Sequence, residues 1–427
     1  MTTRLALHLV LSCLRIEPWP TSTPAFNSQM RPFRALVLLA ALPALSLAQR
    51  GGANSPFPGG ENPDGSLRPT ARLQRLFSQD AYTEYALLEP GSEQFRIRYL
   101  TEETRPGSTE LVNATRGGSE GTDVEVYDPR TGKPLPFTYE IQGETHAIHA
   151  KLTSPVPQGG IGRVLIYKTY KDPRTYQVYN EANPQFGIQP GDISWVRSLA
   201  GYRLGVILPK GFAFLSSNVA AQMSTLSDGR LELHFANPSG LSNPLTIHAR
   251  KTTATPAPTK FTDMFFDDVK TLYDLDQPET HAIHVEQIYS DYRRGEKLPL
   301  DLLGYAPLTD LTAIDLDTAK PLPTSKEGGA TVVKLEIPIT NDKQSAHLKV
   351  TGKLDDAGYK ISNDALTFDR TVKGLRNTIL LPAGWEVTSI SQSGTIGIYQ
   401  GRVFVALVNL NAENSYRVVI TAKKKAM

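Results

Sequence analysis

The feature that most narrows the fold of this chain is that it repeats itself. Arg75–Pro90 and Asp263–Pro278 align without a gap at an offset of 188 residues, with Phe77/Phe265, Asp80/Asp268, Thr83/Thr271, Tyr85/Tyr273, Leu87/Leu275 and Pro90/Pro278 identical. Further on, Asp123–Asp128 running into Lys133-Pro134-Leu135-Pro136 answers to Asp310–Asp315 running into Lys320-Pro321-Leu322-Pro323. Arg203–Phe212 answers to Arg376–Trp385, and Leu245–Lys251 to Val418–Lys424. Matches in the same order along both stretches predict an internal duplication, one structural unit folded twice in tandem. The offset falls to 173 by Trp385, so the second copy has lost residues in its loops.

Within each copy the apolar period is two. Phe95–Tyr99, Leu231–Phe235 and Val333–Ile337 alternate apolar and polar, as half-buried strands do. Val403–Val408 is apolar throughout, which predicts a strand in the middle of a sheet with both faces covered. Asp128-Pro129-Arg130-Thr131-Gly132 and Ser227-Asp228-Gly229 punctuate the strands with turn chemistry. Helical candidates are confined to short pieces at 72–77 and 262–270. The expected fold is therefore all-β: two tandem antiparallel β-sandwich-like domains, 71–251 and 262–427, joined by the Pro/Thr linker 252–261.

Ahead of them, Met30 starts a basic, then apolar stretch (Arg31, Arg34, Ala35–Leu42) that ends in Ser46-Leu47-Ala48. That is the pattern of a signal peptide cleaved after Ala48, with Met30 as the start of translation and 1–48 as leader. The run is too short to span a bilayer, so no membrane span is expected after cleavage. The protein is expected to be secreted or periplasmic. Residues 49–70, rich in Gly, Pro and Asn, read as a flexible linker. The one cysteine, Cys13, falls in the leader, which excludes a disulfide framework and a thiolate metal site from the exported part. A formal net charge of +2 offers no field for steering nucleic acid, and no nucleic-acid partner is expected.

Motifs for chemistry are sparse. His146-x-x-His149 and His281-x-x-His284 would point to opposite faces of a strand and cannot share one metal. Gly117-x-Ser119-x-Gly121 is followed by a strand rather than the helix a nucleophile elbow needs. Asp267-Asp268, Asp315/Asp317 and Asp355-Asp356 lack calcium-loop spacing, and turn chemistry accounts for Asp315/Asp317. No catalytic residue, metal or cofactor is expected. Trp195 and Trp385 are read as core residues. The candidate ligand-binding residues are Tyr167, Tyr170, Tyr176, Tyr179, Lys168 and Arg174: tyrosine faces on an exposed sheet can stack sugar or peptide, and the cations can hold anions. The second copy keeps only Tyr359 there, so such a site would belong to the first.

Tyr273-x-Leu275-x-x-Pro278-x-x-His281, Lys320-Pro321-Leu322-Pro323 and Leu381-Pro382-x-Gly384-Trp385 together resemble the N-terminal β domain of the glycyl aminopeptidase (M61) family. The resemblance covers Tyr273–Trp385 and, through the repeat, Tyr85–Phe212. It implies a non-catalytic β module used twice, because the His-Glu-x-x-His zinc helix of that family has no counterpart in this sequence. The functional expectation is an exported binding or scaffolding protein of the cell envelope, with an envelope protein or a glycan or peptide as partner. The alternatives are a carbohydrate- or peptide-binding accessory protein of a hydrolase, and an enzyme with a site between the repeats.

Overall fold

Alternation becomes sheet wherever the sequence shows it. A computed structural model describes residues 60–73, 82–115, 120–142, 145–199, 203–237, 242–254, 268–277, 280–300, 308–409 and 415–425. The leader with Met30, residues 255–261 of the linker, and Ser119 lie outside the described residues. Those described are nearly all β, with a 3-10 turn at Pro184–Phe186. None of their helices is long and apolar enough to cross a membrane.

The first half has a seven-stranded sheet in the order Gln222–Thr225, Leu231–Ala236, Arg203–Ile207, Tyr82–Leu87, Gln94–Glu103, Gly162–Lys171, Glu120–Tyr127. The second half repeats that order in Thr395–Tyr399, Arg402–Val408, Arg376–Leu380, Asp268–Gln277, Ala282–Asp291, Ala346–Asp355, Thr309–Asp315. Two short strands, Ala71–Leu73 and Lys320–Pro321, extend the second sheet at its edges. Each half adds a four-stranded sheet: Phe212–Ser217, Asn243–Lys251, Ile193–Leu199, Tyr176–Val178, then Trp385–Ile390, Tyr416–Lys424, Ala365–Val372, Tyr359–Ser362. Each also has a three-stranded sheet, Glu110–Thr115, Thr145–Lys151, Phe137–Gln142 and Gly295–Leu300, Ala330–Ile339, Thr324–Glu327. Strand order is thus the same in the two halves, sheet by sheet.

The pairing is antiparallel except where Ala71–Leu73 joins Thr395–Tyr399 and at one place that recurs in both halves. Arg203–Ile207 runs parallel to Tyr82–Leu87, and Arg376–Leu380 parallel to Asp268–Gln277. Over a hundred residues separate the partners in each pair, long enough for the crossover that parallel strands require.

Both small sheets of a half cover the same face of its large sheet. In the first half, Tyr85, Phe95, Val206 and Leu233 of the large sheet pack against Trp195, Ile247 and Ala249 of the four-stranded sheet. Val126, Val164 and Ile166 of the large sheet pack against Leu111, Ile148 and Ala150 of the three-stranded one. The second half builds two cores in the same way. Each large apolar side chain so buried contributes about 1.5–3 kcal/mol. Trp195 and Trp385 are both core, and Phe212, which aligns with Trp385, is buried too.

Three expectations need correction. Arg72 and Leu73, read as helical, belong to a strand that pairs parallel with Thr395–Tyr399, and Asp268–Lys270 opens a strand. Residues 60–70 are no tether: Leu67 is buried in the second half's core, its amide donates to the Val387 carbonyl at 2.7 Å, and Lys423 pairs with Asp64 at 2.7 Å. One leucine amid turn formers suffices to dock a segment whose composition otherwise reads as loop. The strand at 71–73 accordingly belongs to the second half's sheet, not to the domain 71–251.

Residues 50–427 form one compact unit, and the two halves meet within it. Arg163 donates to Asp317 at 2.6 and 2.5 Å and to Ser345 Oγ and O at 2.7 and 2.8 Å. Arg130 reaches Asp315 and Glu336, Ser345 N donates to Pro129 O, and His347 lies 3.2 Å from Glu102.

Candidate functional site

In the first half the two small sheets do not meet over the large one. Between them lies a cleft of about 880 Å³. Its floor is the large sheet, with Thr83, Tyr85, Ile97, Tyr99, Lys168 and Tyr170; Asn113 and Ala114 come from the three-stranded sheet, and Val196, Arg197, Ser198 and Pro244 from the four-stranded sheet. Strand period two explains the floor. Along Gly162–Lys171, Val164, Ile166, Lys168 and Tyr170 share the inner face. Ile166 joins one core and Tyr170 the other, so Lys168 sits at the seam between them.

Lys168 is buried, donates to Asn113 Oδ1 at 2.7 Å and lies 4.9 Å from the Tyr170 ring centroid. Burial, reinforced by the Arg197 charge, pushes its pKa down to about 7. Arg197 occupies an inward position of its strand beside Ile193, Trp195 and Leu199, and its guanidinium stacks 5.6 Å from the Tyr85 centroid and 5.9 Å from that of Phe95. Its Nη1 stands 3.9 Å from Asp172 and makes no hydrogen bond among the described residues. Arg174 stands at the rim, mostly exposed, 3.7 Å from Asp172. The described lining holds no Asp or Glu.

The corresponding place in the second half is filled. Matching strand registers put Gly352 where Lys168 stands and Leu308 where Gly121 stands. A Cβ on Gly352 would come within 2.9 Å of Leu308, which packs on the core there. Large and small residues are exchanged between the halves: Gly121 with Lys168 in one, Leu308 with Gly352 in the other.

Of the six expected site residues, Lys168, Tyr170 and Arg174 line this cleft and the other three do not. Tyr167 is three residues from Tyr170 and so faces the opposite side, where Lys343 of the second half lies 4.0 Å from its ring centroid. Tyr176 is fully buried, its hydroxyl donating to Leu88 O at 3.0 Å. Tyr179 packs against His248, with a ring-centroid separation of 5.9 Å. The expected exposed tyrosine face is therefore split over two faces and a core. Arg197 and Asn113 were missed, although a charged residue at an inward position of an apolar alternation is visible in Ile193–Leu199.

Other candidate motifs take structural partners. His146 Nδ1 lies 3.0 Å from the Tyr139 hydroxyl, and His149 between Glu110 and Glu140. His281 is not in a strand: at φ 55° it precedes one, its Nδ1 3.1 Å from Tyr359 O. Asp315 and Asp317 go to Arg130 and Arg163, and Asp356 pairs with Arg370. Among the described residues no group of three His, Cys, Asp or Glu side chains could hold a metal ion. At the contact between the halves a small pocket of about 90 Å³ lies beside Arg163 and Asp317.

No protein-family model matches the chain, and neither does any curated protein. Among solved structures, an M1 zinc metallopeptidase from Deinococcus radiodurans is similar at 12% identity and TM-score 0.28, over 48% of this chain and 44% of that one. An aminopeptidase N family protein from Idiomarina loihiensis is similar at 13% identity and TM-score 0.25, over 36% and 29%. A candidate protease from Parabacteroides distasonis is similar at 9% identity and TM-score 0.23, over 82% and 93%. This chain spans less than half the length of either metallopeptidase. These neighbours are named as M1 or aminopeptidase N chains and a protease, the M61 family is not named among them, and no residue role follows from them.

Proposed function

We propose that this chain is an exported, non-catalytic binding protein of the cell envelope, made by duplication of one β module, in which the first half takes ligand and the second is a closed structural copy. The exchange of Leu308/Gly352 for Gly121/Lys168 carries the reading: the second half fills its seam, and the first opens a cleft there and places a buried cation on its floor. Burying an ammonium with one neutral partner costs free energy that a purely structural seam has no reason to spend. Clefts of roughly 300–1,000 Å³ with a few convergent polar groups are the usual form of a small-ligand site. Fusion to the second half through the buried Arg163–Asp317 pair favours one compact scaffold over two tethered contacts.

The test is capture from an envelope extract by the chain from Gln49 onward, compared with its Asn113→Trp variant, which puts an indole into the cleft. A ligand retained by the first and lost by the second, with unchanged denaturation midpoints, supports the reading. Equal retention by both, or none by either, overturns it.

A further inference from the structure

The cleft has a chemical sign. Lys168 and Arg197 face it from different sheets, close enough to oppose each other's charge, and no described lining residue is acidic. The nearest carboxylate, Asp172, stands 3.9 Å from Arg197 and spends its oxygens on Thr175 and the Arg174 amide. In the second half the counterpart arginine, Arg370, pairs directly with Asp356 through Nη1. Arg197 is the same arginine with its carboxylate drawn back and one terminal nitrogen left without a hydrogen bond.

Resting on the ligand-site reading above, we infer that the cleft binds an acidic saccharide, seating a uronate carboxylate between Lys168 Nζ and the Arg197 guanidinium. A planar guanidinium meets a planar carboxylate in two parallel hydrogen bonds, and the ammonium supplies the second charge. The rest of the lining is suited to a sugar. Thr83, Asn113 and Ser198 offer hydroxyl and amide groups to ring hydroxyls.

Calorimetric titration of the chain from Gln49 onward with four probes tests this: trigalacturonate, its methyl ester, neutral galactotriose and triglutamate. Trigalacturonate should bind, and its ester and galactotriose at least tenfold more weakly. Lys168→Met, and Arg197→Lys, which keeps the charge but removes the fork, should each weaken trigalacturonate at least tenfold without lowering the urea midpoint. Equal binding of ester, neutral sugar and acid, abolished by Asn113→Trp, would overturn the acidic class and leave the cleft as a ligand site. Preference for triglutamate would make the cleft a peptide site and overturn the saccharide. Failure of all four probes to bind overturns the inference, while envelope capture still judges the cleft separately.

Discussion

Arg163 in the first half holds both carboxylate oxygens of Asp317 in the second, and both side chains are buried. Nη1 and Nη2 also donate to Ser345 Oγ and O, so each guanidinium nitrogen has an acceptor. Such a pair stabilises little against an apolar replacement of equal size, but removing one partner strands the other charge in the interior. Arg163→Ala should cost about 3–5 kcal/mol by urea denaturation, and Arg163→Met with Asp317→Leu much less. The single variant should also split the calorimetric transition, because this contact couples the halves. A loss under 1 kcal/mol with a single transition would show that the coupling runs elsewhere.

The hairpin turns of the two halves solve one problem differently. Gly132 takes φ 69° in the first, and Ala319 takes φ 56° at the matching place in the second. Left-handed backbone costs a side chain about 1 kcal/mol or more, part of which glycine gives back in the unfolded state. Ala319→Gly should therefore stabilise by up to about 1 kcal/mol. Gly132→Ala should destabilise by more than that, since its Cβ would stand 2.9 Å from Asn341 and Gln344 across the contact between the halves. A destabilising Ala319→Gly would contradict the turn geometry.

Leu67 tests the docked segment. Its side chain is 4% exposed and lies in the core of the second half. Leu67→Ala should cost about 2–5 kcal/mol. If 60–73 were a tether, the same substitution would be neutral.

Lys168 links ligand binding to pH. The folded protein releases its proton near pH 7, whereas the unfolded chain holds it to about 10.5. Between those values the unfolded state binds more protons, so stability should rise with pH across that window relative to Lys168→Met. A carboxylate in the cleft favours the ammonium again. Trigalacturonate binding at pH 8 should therefore take up close to one proton, read from calorimetry in buffers of different ionisation enthalpy. Lys168→Met should take up none; equal uptake by both would place the proton elsewhere.

What sequence could reveal followed from local periodicity. Alternation located the strands, and the apolar run Val403–Val408 lies inside a sheet as expected, with Phe404 and Val405 fully buried. The same alternation was not carried through at Tyr167 and Tyr170, although it had already separated His146 from His149. The cleft itself was only half legible. Lys168 stands out once its face is known, but Asn113 and Arg197 reach it from strands that local pattern cannot bring together. The contact between the halves joins residues more than 150 apart, such as Arg163 and Asp317, and no short-range signal carries that pairing.

The outer face of the first large sheet marks a further difference between the halves, and it can be measured. Glu84, Glu232 and His234 stand where the second half has Leu272, Phe404 and Ala406, an apolar cluster. Glu232 is fully buried, neither of its oxygens accepts a hydrogen bond among the described residues, and His234 lies 3.6 Å away. Burial, with the Glu84 charge adding to it, pushes Glu232 up to about 8, and burial pushes His234 down to about 4. The signs oppose. Folded Glu232 keeps a proton that the unfolded chain loses near 4.5, so its contribution falls as pH rises from 4.5 to 8. His234 stays neutral where the unfolded chain takes a proton below 6.5, so its contribution falls as pH drops from 6.5 to 4. The two offset each other below pH 6.5; above it Glu232 acts without His234, and Lys168 opposes it from about pH 7 upward. Relative to Glu232→Gln, which cannot ionise and keeps the same Lys168 contribution, wild-type protein should thus lose stability between pH 6.5 and 8.5. The whole Glu232 effect is bounded at about 5 kcal/mol by 1.36 kcal/mol per pKa unit, and the part above pH 6.5 at under half of that. Equal urea midpoints for the two proteins at both pH values would mean that Glu232 is already ionised and paired in the folded state.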